Sequence, residues 1–115
     1  MSLRTGAVAR RFIETWNSRD LDALLAMVTE ECTFDSAHGG REPVTGKAQL
    51  RAAWSPALRR MTGEFVIRRL VEEGDVVVAE WDLIDGDRLV ARGIDVLGVH
   101  EGRISSKSGY VKVPR

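Results

Sequence analysis

Apolar residues recur at helical spacing as far as Met61 and then, from Glu64 onward, mostly alternate with polar ones. Between Thr5 and Trp16, Val8, Phe12, Ile13 and Trp16 share one side while Arg10, Arg11 and Glu14 fall between them, which predicts an amphipathic helix. Asn17 can close it, and Ser18 or Asp20 can accept from the free N–H groups that open the next. Leu21, Leu24, Leu25 and Val28 give that short second helix. The stretch SAHGGREPVTG has no periodicity and predicts a loop. Leu50, Ala53, Trp54, Ala57, Leu58 and Met61 return to helical spacing, with Pro56 forcing a kink or a restart near Ser55.

Beyond Gly63, EFVIRRLVEE, DVVVAEWDLI, RLVARGIDVLGV and RISSKSGYVKV read as four strands, separated by turn signals at EEGD, DGD and HEG. Helices followed by a run of strands predict an α+β fold with an antiparallel sheet. The 115 residues suit one domain, residues 1–115, with no internal repeat or linker.

Within the third strand, a carboxylate sits among the apolar residues of RGIDVLG. An ionised Asp95 buried without a partner costs several kcal/mol, so it is solvated, paired or kept protonated. An even-numbered loop at Gly86 puts Val78, Glu80 and Asp82 on one face with Ala91, Gly93, Asp95 and Leu97. The other face then carries Val77, Ala79, Trp81 and Leu83 with Val90, Arg92, Ile94 and Val96. A three-residue loop in VHEGR places Asp95 opposite Lys107, whereas a two-residue loop puts Ser106 and Ser108 on that face. The first is favoured because it gives the carboxylate a cation.

Composition narrows the function. Seventeen basic residues balance seventeen acidic ones, and the basic side chains are scattered, which argues against a nucleic-acid partner. The single cysteine, Cys32, excludes an internal disulfide and a thiolate zinc cluster. His38 and His100 show no metal-ligand spacing, so no metal and no cofactor are expected. No apolar run approaches the ~20 residues a membrane span needs, and the N-terminus lacks a signal-peptide core; a cytoplasmic protein is expected.

The chain resembles SnoaL-like members of the nuclear-transport-factor-2-like superfamily, which includes the bacterial ketosteroid isomerases. RRFIETWNSRDLDALLAMVTEECTF is similar to the opening helices and first strand of that group, VTGKAQLRAAW to its glycine-led third helix, and GIDVLGVHEGRISSKSGYV to its final hairpin. The resemblance implies a curved antiparallel sheet wrapped around three N-terminal helices, a cone with an internal pocket. It also implies a homodimer through the outer sheet face, here Trp81, Leu83, Ile94 and Val96. Asp95 matches the inward aspartic acid that stays protonated in the steroid isomerases and donates to a substrate oxyanion. The rest of that set is missing. Phe12 replaces the helix tyrosine and cannot donate a hydrogen bond. Ser36 replaces the aspartate base, with Asp35 one residue away. The Asp, Arg, Asp set of the related epoxide hydrolases is not matched either, since Arg92 and Asp95 face opposite sides and SGY carries no aspartate.

What remains is a pocket for a small apolar or amphipathic molecule. Asp95 and Lys107 would fix its polar end, Asp82 and Glu80 would flank them, and Phe12, Trp16 and Trp54 would wall it while also serving as core. One alternative is a cofactor-independent isomerase or cyclase acting on a carbonyl-containing ligand, with Asp95 as acid and Asp35 or the loop residue His38 as base. Another is a non-catalytic dimerisation module whose cavity is filled by its own side chains.

Overall fold

The structure is a computed structural model that describes residues 4–36 and 42–113. The chain forms α1 (Thr5–Trp16), α2 (Leu21–Ala26), β1 (Val28–Asp35), β2 (Val44–Thr45), α3 (Lys47–Arg60), β3 (Glu64–Glu73), β4 (Val76–Asp85), β5 (Arg88–His100) and β6 (Arg103–Lys112). α1 buries Val8, Ala9, Phe12 and Ile13, as its periodicity requires. Asp20 is the residue that opens α2, accepting from the Ala23 N–H at 3.0 Å. Leu50, Trp54 and Leu58 of α3 are buried at four-residue intervals on both sides of Pro56, and the helix continues through the proline without a restart. Tertiary packing on either side holds the turn that the ring cannot hydrogen-bond.

Three helices pack against one six-stranded sheet of order β2-β1-β6-β5-β4-β3. The sheet is mixed, not antiparallel as expected: β1 runs parallel to β6, with Phe34 beside Lys107. β1 can pair this way because more than half of the chain, residues 36–102, lies between the two strands, ample length for a parallel crossover. The Ile104 N–H donates to the Met27 carbonyl at 2.9 Å and ties the start of β6 to the end of α2. β2 lies in the segment read as a loop and pairs antiparallel to β1 through Thr33–Thr45 and Phe34–Val44.

Two single-residue irregularities decide which side chains face the helices. The β4–β5 hairpin has the expected two-residue turn, with Asp85 opposite Arg88, but Val90 has no partner. Past that bulge the parity changes, so Ala91, Gly93, Asp95 and Leu97 share the inner face with Leu83, Trp81, Ala79 and Val77. Glu80 and Asp82 therefore lie on the outer face, contrary to the sequence reading. Trp81 and Leu83 leave the surface expected to meet a second copy, which keeps Ile94 and Val96. The β5–β6 turn has two residues, not the favoured three. Glu101 and Gly102 both hold positive φ, 50° and 78°, between His100 and Arg103. A second bulge, at Ser105, reverses the parity and returns Lys107 to the Asp95 side.

Candidate functional site

Asp95 lies on the inner sheet face between Ala79 of β4 and Gly109 of β6. Lys107, on the same face, brings its Nζ to 3.5 Å from Asp95 Oδ1; the two side chains are only 12% and 5% exposed. The ammonium also stands 4.2 Å from the centre of the Phe34 ring, within cation–π range. Phe34 packs edge-on to Trp54 at 5.5 Å, and Trp54 reaches Trp16 at 5.2 Å and Phe12 at 5.9 Å. A continuous line of contacts thus runs from a buried carboxylate through a cation to an aromatic cluster carried by α1 and α3. Asp95, Lys107, Phe12, Trp16 and Trp54 are brought together; Phe34 was missed.

Trp81 is a second addition. Its ring packs edge-on to Phe65 at 4.9 Å and lies across β5 at Gly93, where any Cβ would collide with the indole. A tryptophan facing a glycine on the neighbouring strand was the sequence signal that this face is the packed one. Asn17 fixes Phe65 from the end of α1, donating to its carbonyl at 3.0 Å and accepting from its N–H at 2.7 Å. Among the described residues, three buried side-chain polar atoms lack a hydrogen-bond partner: Asp95 Oδ1 and the indole nitrogens of Trp54 and Trp81.

Other expected members lie elsewhere. Asp35 is exposed, one residue beyond the core-packed Phe34. On the outer face, Asp82 accepts from Arg92 at 2.7 Å and Glu80 accepts from Arg69 at 3.4 Å. The Arg92 hydrogen bond holds the Asp82 carboxyl below its ordinary range, against an opposing effect of burial. His38 lies outside the described residues. No group of three or more His, Cys, Asp or Glu side chains able to hold a metal occurs among the described residues, and no helix among them is long and apolar enough to cross a membrane.

Cys32, on β1, is buried beside this site. Burial pushes its thiol up to about 11, with the charge of Lys107 acting in the opposite direction. The unfolded thiol ionises first, at 9.0, so stability should decline as pH rises from that value toward about 11. Urea titrations across that window should show the decline in the parent protein and a reduced slope in Cys32→Ala; equal slopes would refute the assignment.

Two open concavities on the surface of the described residues lie away from Asp95. One of about 380 Å³ follows the outer surface of α1, and one of about 350 Å³ lies between α1, α2 and the β5–β6 turn.

Comparison with known proteins agrees with this architecture. The sequence profile of the SnoaL-like domain matches residues 9–107. An NTF2-like protein of unknown function from Mesorhizobium loti is 25% identical and superposes with a TM-score of 0.76 over 94% of this chain and 90% of that one. A steroid delta-isomerase from Pseudomonas aeruginosa is 22% identical, with a TM-score of 0.72 over 94% of this chain and 79% of its own. The epoxide hydrolase/cyclase-like enzyme SalBIII, which acts in pyran ring formation in the polyether salinomycin, is 19% identical, with a TM-score of 0.78 over 94% and 90%. No curated protein matches the chain.

Proposed function

Since the chain belongs to the SnoaL-like domain family, we propose that it binds a small, largely apolar molecule carrying a carbonyl or similar oxygen. Lys107 and Asp95 would hold the polar end, and the less enclosed rings of Phe34 and Trp16, backed by Trp54, the apolar body. The supporting observation is the buried pair itself: Asp95 Oδ1 keeps hydrogen-bonding capacity that no protein donor uses. Interiors rarely leave such capacity idle, and convergent polar groups on an apolar wall are how small-molecule sites fix orientation. The ammonium offers donors to a ligand oxygen, and the carboxyl group can accept or return a proton.

Acid/base chemistry as an isomerase or cyclase needs a second proton-transfer group facing Asp95, and Asp35 does not face it. A reading without catalysis is favoured by a separate observation, the 2% exposure of Trp54, whose ring fills the interior between α1 and the sheet. Native mass spectrometry of protein purified from cell extract should find a co-purifying small molecule, weakened at least several-fold by Asp95→Asn. Loss of turnover of that molecule with binding retained would support the isomerase or cyclase. A ligand-free protein whose melting temperature no added ketone or enone raises would support the filled module.

A further inference from the structure

The hollow between α1, α2 and the β5–β6 turn carries two cations and no carboxylate. Arg11 and Arg103 stand on its walls, and Val8, Ala23, Ala26 and Met27 supply apolar surface. Most arginines of the described residues are neutralised or hydrogen-bonded: Arg4, Arg10, Arg51, Arg68, Arg69, Arg88 and Arg92 pair with acids. Arg19 and Arg59 donate to carbonyls and to the Ser55 hydroxyl. Arg11 and Arg103 do neither, and nor does Arg60 at the end of α3, although acids lie close to Arg11 and Arg103 along the chain. Glu14 faces Arg10 and Asp22 faces Arg51. Asp20 caps α2, and Glu101 sits by His100. Glu14, Asp20 and Asp22 are therefore engaged away from the hollow.

The frame around the two arginines is fixed. The Ile104 N–H bond to the Met27 carbonyl anchors the turn that carries Arg103, and the neighbouring Val8 of α1 belongs to the buried core. Two exposed arginines at the wall of one concavity, neither paired with an acid, together offer donors matched to a carboxylate or phosphate. The volume of about 350 Å³ suits a small molecule, and the alanine and methionine side chains suit an apolar body beside the charged head.

We propose that this hollow is a binding site for a small amphipathic anion, its carboxylate or phosphate head held between Arg11 and Arg103 and its short apolar body lying on Ala23, Ala26 and Met27. The site is separate from Asp95 and stands whether or not that region binds a ligand.

Octanoate, 1-octanol and inorganic phosphate, titrated separately into ¹⁵N-labelled protein, provide the test. Octanoate should move the amide signals of Arg11, Ala23, Ala26 and Gly102 and bind more tightly than either phosphate or octanol. Arg11→Gln and Arg103→Gln should each weaken octanoate roughly tenfold or more, the loss expected for one charge-assisted contact, with unchanged melting temperature. Ala26→Glu, which places a carboxylate beside the arginines, should abolish the shifts. Octanol binding as tightly as octanoate, affinity unaffected by all three substitutions, or shifts centred on Asp95 and Lys107 would each overturn the proposal.

Discussion

A Lys107→Met variant is expected to lose about 3–5 kcal/mol at neutral pH, because it leaves a buried carboxylate with no countercharge. Nζ is the cation within 4 Å of Asp95, and both side chains are almost wholly enclosed. Methionine keeps the length and apolar contact of the lysine stem, so the loss reports charge more than packing. One feature separates this from ordinary core damage. Adding Asp95→Leu should restore much of the lost stability, because replacing both members of a buried pair by apolar groups is often neutral or better. Chemical denaturation of the four proteins at neutral pH measures it. A melting temperature unchanged by Lys107→Met would sink the pairing.

Trp54→Ala should cost a comparable 3–5 kcal/mol, for a different reason. Its ring is 2% exposed and is the contact shared by Phe12, Trp16 and Phe34. Truncation leaves a cavity that those rings, held on α1 and β1, can only partly collapse into. Against a typical domain stability of about 5–15 kcal/mol, the melting temperature should drop by roughly 10 °C or more. Trp54→Phe should recover over half of the loss. A shift under about 3 °C for the alanine variant would show that this cluster is not the centre of the core.

Two of the helices were legible because one buried face leaves a regular periodicity: Val8, Phe12 and Ile13 in α1, and Leu50, Trp54 and Leu58 in α3, fall where the pattern put them, whereas Val28, assigned to α2 by the same spacing, opens β1. The strand limits were legible for a similar reason. Which face of the sheet is the inner one was not, because a single unpaired residue inverts every assignment beyond it. Val90 and Ser105 carry no mark distinguishing a bulge from an ordinary strand position. Asp95 was placed inward correctly, yet with the wrong companions. Lys107 reached it by a route opposite to the one expected, through a shorter turn followed by a bulge. Charge offered a check that the alternation did not: Asp82 with Arg92 and Glu80 with Arg69 are cross-strand ion pairs of an exposed surface, and treating them as partners fixes the register. The parallel pairing of β1 was invisible because no local signal specifies a neighbour so far along the chain.

That pairing also sets an order of events during synthesis. β1 leaves the ribosome before one of its two sheet neighbours, β6, the last strand of the sheet in chain order. Until the ribosome releases β6, Phe34 lacks the ammonium it faces and the Met27 carbonyl lacks its amide donor. The nascent helices can form and α1 can meet β3 and β4, but the sheet is completed, and the domain's cooperative collapse with it, only when β6 has been made.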